Sequence, residues 1–412
     1  MRLNKAQWCW LLYDPGNAAF ALLVRAVFAP LFFMACARGT WSESAATANW
    51  GMVCSAAGVF AGACSLYFGA LADVYAERKL ALTISTAIGV TATLLLAAVS
   101  DHRLILTVYF IALAAYMVSN SFYDSLLVSV AKPEEFSWLS TFAYGFGYLG
   151  GLVPFLGILG GAFFIKESLL VARISFLVAA VWWALFTLPL LFGVDEKSDS
   201  LHQIRWYDGF RQLAKTLCEV WRNSNVRVFL IAYFLYIDGV STILLMATPI
   251  SVEIGMSEML LMMTILGLQV VGFPATVAAG LLARKFGARA IVYLELGLYI
   301  VTAALIGVLT VLADFKSKVV VFLLAALLIA LSQGGIQSLS RSLFGTLIPP
   351  GKAAEYFGVY NIFGKFTTIL GPVLIYAVSQ IWQRSEYGIV LLIVPFTVGG
   401  ILLSRVDFSG KK

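Results

Sequence analysis

Continuous apolar runs, each followed by a short charged break, occupy residues 8–35, 47–74, 80–99, 104–129, 138–164, 170–193, 226–251, 258–283, 290–312, 319–346, 355–381 and 387–404. About 20 apolar residues cross a ~30 Å hydrocarbon core as a helix, so the pattern predicts twelve membrane-spanning helices and an all-α membrane protein. A membrane β-barrel would alternate apolar and polar positions in segments of about ten residues; these runs are continuous over roughly twice that length. Residues 194–225 form the one long polar stretch, VDEKSDSLHQIRWYDGFRQLAKTLCEVWRNSN, carrying both signs of charge. It reads as a cytoplasmic connector, partly amphipathic helix, between six-helix bundles at 1–193 and 226–412.

A faint internal repeat supports two related halves. Sliding the chain by 221 positions lays NSFYDSLL at Asn120 over RSLFGTLI at Arg341, and YLGGLVPF at Tyr148 over ILGPVLIY at Ile369. The fourth and fifth spans then echo the tenth and eleventh, as repeats do in many carriers.

Composition agrees with a membrane interior: 61% of residues are hydrophobic and 12% charged, against roughly 25% charged in soluble domains. With the N-terminus inside, eighteen of the 28 Lys and Arg fall in cytoplasmic segments, seven in outside segments and three within spans. The excess of inside cations places both termini in the cytoplasm. The net charge of +6 therefore reads as topology signalling; the cations lie in short clusters between spans, so no nucleic-acid partner is expected. No small-residue cleavage site follows the first apolar run, which is expected to be kept as a span.

Cys9, Cys36, Cys54, Cys64 and Cys218 form no close pair, and His102 and His202 are the only histidines, so neither a disulfide framework nor a metal site is expected. There is no phosphate-binding loop, no HExxH and no nucleophile elbow. The chain is expected not to be an enzyme and to need no cofactor, drawing energy from an ion gradient or from the substrate's own gradient.

Ionisable side chains inside spans carry the candidate chemistry, because a charge at mid-bilayer costs at least ~2.5–3.5 kcal/mol unless a partner or a wet cavity receives it. The first span holds Asp14, Asn17 and Arg25. At 100° per residue Asp14 and Arg25 share one face, yet stand about 16 Å apart along the axis and cannot pair directly. The seventh span carries Asp238, the tenth a stripe of Gln333, Gln337 and Arg341, and the eleventh a stripe of Asn361, Lys365 and Thr368. Tyr144 and Tyr148 lie beside a run of glycines in the fifth span, which reads as a packing face. These residues give a candidate substrate set of Asp14, Asn17, Arg25, Tyr144, Asp238, Gln333, Gln337, Asn361 and Lys365, with Asp14 and Asp238 as candidate proton carriers. Neutralisation by a neighbouring helix is the competing reading for each. Glu295, near the start of the ninth span, is expected to pair with Arg289 or another loop cation.

After the second span, GALADVYAERK sets Gly69, Asp73, Arg78 and Lys79 in a G-x-x-x-D-x-x-x-x-R-K spacing that resembles the loop signature of the major facilitator superfamily. The second half keeps a degenerate copy, GLLARKFGAR, with Arg284 at the acidic position. A glycine-permitted close helix approach plus a charged latch suits a gate that opens and closes. Asp124 and Arg341, near the inner ends of their spans, complete the candidate gate.

Three stretches sharpen the resemblance: WLLYDPGNAAF at Trp10, NSFYDSLLVSVAKPEEFSWLSTFAYGFGYLGG at Asn120, and QGGIQSLSRSLFGTLIPPGKAAEYFGVYNIFGKFTTILGP at Gln333. Together they resemble the major facilitator family that holds the autophagy-related vacuolar amino-acid effluxers of fungi and their bacterial relatives. The likeness falls on Tyr13 and Asp14, and on Gln337, Ser340, Arg341 and Ser342. It implies a major facilitator fold of twelve transmembrane helices in two six-helix bundles, and alternating access around a mid-membrane site. Because large inserted loops are lacking, it also implies a bacterial inner-membrane location. The leading expectation is a secondary transporter of a small zwitterionic metabolite such as an amino acid, with the bilayer, the substrate and protons as partners and a monomer as the working state. Export of amphipathic compounds or lipids, and a non-transporting receptor or scaffold, remain the alternatives.

Overall fold

The computed structural model describes residues 3–41, 43–75, 77–162, 165, 167–196, 215, 217–309, 311–349, 351–361, 363–364 and 386–408. Ten helices among them are long and apolar enough to cross a membrane. They are α1 (Lys5–Ala37), α2 (Glu43–Tyr75), α3 (Arg78–Ala98), α4 (His102–Ser125) and α5 (Phe136–Ala162). There follow α6 (Ser168–Gly193), α7 (Ser224–Ile254), α8 (Glu258–Phe286), α9 (Ala288–Val308) and α10 (Phe315–Gly345). The eleventh predicted span begins as α11 over 353–361, and α12 (Ile393–Ser404) follows a short helix at Glu386–Val390. Lys365, Thr368 and most of the connector lie outside the described residues.

Helix ends follow local chemistry. Asn4 and Gln7 form a reciprocal cap at the start of α1, Asp101 accepts from the amides of Arg103 and Leu104 at the start of α4, and Asp314 accepts from Ser317 before α10. Gly287, at φ +88°, makes the break between α8 and α9 in a backbone region that side-chain-bearing residues avoid.

α1 departs from a regular helix. Pro15 cannot donate to the carbonyl of Leu11, and the first helical piece ends there. Over Phe20–Phe28 the ladder loosens to a π-helix, closed by the Ala29 amide reaching Val24 just before Pro30. Such winding turns less per residue, so the 100° spacing that set Asp14 and Arg25 on one face does not hold across this segment.

The chain forms two compact units: Met1–Lys132 with Phe146–Thr216 and Pro349–Ile362, and Pro133–Gly145 with Leu217–Ile348 and Phe363–Lys412. The first half of the sequence thus lends the start of α5 to the second unit, and the second half lends α11 to the first. Aromatic packing centres the first unit, where Trp10 stacks on Tyr123 at 4.6 Å, Phe20 on Tyr116 at 4.7 Å, and Phe20 meets Trp183 at 5.2 Å. In the second unit Tyr299 stacks on Phe396 at 5.6 Å. Large apolar side chains such as Leu31, Met52, Ile84, Leu185, Leu294 and Ile401 point outward, the inversion that hydrocarbon as solvent permits.

The glycines of α5 divide between the units. Gly145 faces Val277 and Phe273 in the second unit, whereas Gly147, Gly150 and Gly151 face Asp14, Pro15 and Ala18 in the first. At Gly150 a methyl group would fall on the Pro15 backbone, while Gly157 has open space. Overpacking costs ~1–3 kcal/mol, and an alanine in an open helical position gains up to about 1 kcal/mol over glycine. Gly150→Ala is therefore expected to lower the melting temperature of the detergent-purified protein and Gly157→Ala to hold or raise it, as read by differential scanning fluorimetry.

Candidate functional site

Three polar constellations stand out against the apolar helices. The first lies in the first unit, where α1 and α4 meet. The Asp14 carboxylate accepts from the Tyr123 hydroxyl at 3.0 Å, and Asn17 donates to Asn120 at 2.5 Å. The Asn17 carbonyl oxygen is buried without a hydrogen-bond partner. Tyr116, one turn before Asn120, has its hydroxyl beside Asn120 and Arg25 and feels the charges of both Arg25 and Asp14. Arg25 is the exposed member, on the π-helical segment. Asn17 and Arg25 are thus linked through Asn120 and Tyr116, a tyrosine that the sequence reading left out, while Asp14 is held by Tyr123. The i, i+4 spacing of Tyr116 to Asn120 is the signal that would have found it.

The second constellation belongs to the second unit. Gln337 of α10 accepts from the Tyr144 hydroxyl of α5 at 2.5 Å, and Gln333 accepts from Tyr299 of α9 at 2.5 Å. The predicted glutamine stripe is therefore held by two phenols, one foreseen and one not. Arg341 donates from Nε to the Ser140 hydroxyl at 2.8 Å and from a terminal nitrogen to the Ser140 carbonyl at 3.0 Å. Ser140 donates in turn to the Ser338 carbonyl at 2.8 Å, and Ser137 pairs with Ser342 at 2.8 Å. Asp238 of α7 is buried, with Thr242 one turn on.

The third constellation is the loop signature, within the first unit. Asp73, at the end of α2, accepts from the backbone amides of Ala354 at 3.0 Å and Glu355 at 2.8 Å, the first amides of α11. It also accepts from Arg78 Nε at 2.6 Å. A buried carboxylate thereby caps a helix N-terminus, where free amides and the helix dipole favour negative charge. Gly69 lets α2 approach, since a methyl there would meet the Ala354 carbonyl at 3.0 Å.

Glu196, just past α6, extends this network, accepting from the backbone amides of Arg78 and Lys79 at 3.1 Å each, while Lys79 Nζ donates to the Val194 carbonyl at 2.9 Å. Burial pushes the Glu196 carboxyl up, against the pull of those two amides and the Arg78 guanidinium. Of the remaining predicted residues, Asp124 accepts from Asn361 Nδ2 at 3.2 Å, also inside the first unit. Lys365 lies outside the described residues.

One expectation fails. Arg289 is spent on the Ser404 and Val406 carbonyls at the end of α12, and both oxygens of Glu295 are buried without a hydrogen-bond partner. Glu295 lies six residues past Arg289, which sets it 240° round the helix, 120° away on the other side, and about 9 Å deeper, out of that cation's reach.

The family described as "Vacuole effluxer Atg22 like" matches residues 128–412. An uncharacterized MFS-type transporter of Bacillus subtilis (strain 168), YxiO, is 32% identical over 417 residues, covering 98% of this chain and 95% of its own. Autophagy-related protein 22 of Saccharomyces cerevisiae (strain ATCC 204508 / S288c) is 28% identical over 239 residues, 49% of this chain and 44% of the yeast protein. Among solved structures, the human organic anion transporter MFSD10 aligns with a TM-score of 0.76 at 15% identity, over 97% of this chain and 99% of its own. The proton:xylose symporter XylE aligns at 0.72 and 14%, over 98% of this chain and 95% of its own. These likenesses fix the all-α major facilitator fold. The chain belongs to the Atg22-like vacuole effluxer family and is an integral membrane transporter of the major facilitator type, not an enzyme.

Proposed function

We propose that the protein is a secondary transporter of a small zwitterionic metabolite such as an amino acid, in a bacterial inner membrane with both termini in the cytoplasm. The observation that carries this reading is the polar cluster of the first unit, where Asn17 meets Asn120, Asp14 meets Tyr123, and Arg25 lies beside the Tyr116 hydroxyl. A zwitterion presents the complementary pair, its carboxylate to Arg25 and its ammonium to Asp14, with Asn17 and Asn120 supplying hydrogen bonds. The orphan carbonyl of Asn17 is an acceptor that a substrate ammonium would satisfy, and an unmet buried acceptor costs about 1–3 kcal/mol. In the second unit Gln333, Gln337, Tyr144 and Asp238 are the candidate substrate-binding residues, and the 1–193 and 226–412 bundles are the bodies that move. Asp14 and Asp238 are the candidate proton carriers.

The Asp73 network reads as the gate latch. The cap on α11 holds while the carboxylate faces two helix-terminal amides, and it releases when α11 withdraws. Glu196 ties the start of the connector to the same latch through the amides of Arg78 and Lys79. Alternating access needs such a two-position contact.

Two experiments test these readings. A thermal-shift screen of the purified protein against amino acids, peptides, nucleosides, organic anions and lipids is expected to give an upward shift with amino acids, since a ligand that favours the folded state stabilises it. Arg25→Gln or Asp14→Asn should then weaken apparent binding by about tenfold to a hundredfold, the ~1.5–3 kcal/mol of a hydrogen bond to a charged group. Stabilisation by lipids or organic anions alone, unchanged in both variants, would end the zwitterion reading.

For the latch, Asp73→Ala removes one partner of a buried ion pair and is expected to lower unfolding stability by ~3 kcal/mol or more. Glu196→Gln, which keeps an acceptor for one amide, should cost about 1 kcal/mol. Chemical denaturation in mild detergent measures both; equal stability in Asp73→Ala and the unmodified protein would reduce the loop to a topology signal.

A further inference from the structure

Glu295 is an ionisable group that none of the three constellations uses. It sits in α9, 2% exposed, and neither carboxyl oxygen has a hydrogen-bond partner. Its carboxyl lies against the backbone of α10 at Gly335, where any side chain would overlap it, and the Ala279 methyl of α8 borders the same point.

The ionisable groups near it are phenols. Tyr299, one turn on along α9, and Tyr236 of α7 both lie close enough to interact with it. Their hydroxyls are engaged with Gln333 and Ser340 respectively. From α10, Arg341 is committed to Ser140; from α8, the cations Arg284 and Lys285 sit exposed in the last turn. The α12 stretch Ile393–Ser404 has no titratable side chain. The short helix carrying Glu386 and Tyr387 meets α9 through Val390 at Gly307, twelve residues and about 18 Å along the axis from Glu295. Among the described residues no cation forms an ion pair with Glu295.

A carboxylate so placed, with no donor and no counter-ion inside a membrane protein, is not tolerated as an ion; the group takes a proton instead. A neutral acid with both oxygens unpaired still costs more than an apolar side chain of the same shape. Intramembrane carboxyls of this kind mark ion pathways and proton relays. The position supports that use: Glu295 presses on the helix that carries Gln333 and Gln337, and shares a face of α9 with Tyr299, the phenol that holds Gln333.

We propose that Glu295 is a proton-binding site of the transport cycle. It is protonated in the arrangement described here and releases its proton to water when α9 and α10 shift enough to admit water or a donor beside Gly335. In that step the acid O–H bond breaks, the proton passes to water, and the carboxylate left behind is stabilised by the hydrogen bonds it lacks now. This rests on the transporter reading above and adds a third proton carrier to Asp14 and Asp238, outside the zwitterion site.

Two measurements test the proposal. Dicyclohexylcarbodiimide modifies carboxyls that are protonated in apolar surroundings. Labelling of the purified full chain at a series of pH values, read by peptide mass spectrometry, is expected to mark Glu295 at pH 6–7 and to fall by about tenfold for each unit above its midpoint as the carboxyl ionises. In proteoliposomes, Glu295→Gln is expected to keep exchange of the amino acid found by the thermal-shift screen while losing accumulation driven by a pH gradient. An unlabelled Glu295, or gradient-driven accumulation in Glu295→Gln equal to that of the unmodified carrier, overturns the proposal. Failure of the unmodified carrier to exchange any amino acid would instead overturn the zwitterion reading, and the labelling profile alone would then decide the role of Glu295.

Discussion

Hydrocarbon offers no hydrogen bonds, so every polar group carried into the membrane has to find its partner within the protein. The helices obey this in detail. Hydroxyls in the spans turn back on their own helix, as Ser85 does to Ala81, Thr93 to Gly89, Ser175 to Val171, Thr187 to Trp183 and Thr276 to Gly272. Indole and phenol groups reach further, Trp10 to the Tyr123 carbonyl and Trp183 to the Tyr13 hydroxyl. Against that rule, the Asn17 carbonyl and both Glu295 oxygens are buried acceptors left without a partner.

The same constraint shapes the latch. Helix starts leave amides without intrahelical partners, and burying such an end requires an acceptor from elsewhere. At α11 that acceptor is Asp73, and at α3 it is Glu196. Both carboxylates serve amides and the Arg78 guanidinium together, so the loop after α2, the end of α6 and the start of α11 form one network inside one unit. A segment of the second sequence half is thereby built into the first unit.

Small residues decide where helices come close. Gly150 admits Pro15, Gly69 admits the start of α11, and Gly335 admits the Glu295 carboxyl. In lipid, where apolar surfaces gain little by leaving their solvent, such close approach is the main source of packing energy. The glycine at 335 leaves the space that the Glu295 carboxyl fills.

The sequence by itself determined the solvent, the helical fold class and the family, because runs of apolar residues and short motifs are local properties of the chain. It also selected Asp14, Asn17, Arg25, Asp238, Gln333, Gln337 and the loop carboxylate Asp73, since polar residues inside apolar runs are conspicuous. Only the tertiary structure decided who meets whom. Tyr116 and Tyr299 look like ordinary core aromatics until their hydroxyls are found beside Arg25 and Gln333. The π-helical turn in α1 altered a facing relation computed from regular winding, and Glu295, read as one half of a surface ion pair, turned inward because it is set six residues past Arg289. Those outcomes depend on helix register and on contacts between residues far apart in the chain, which no periodicity along a single helix encodes.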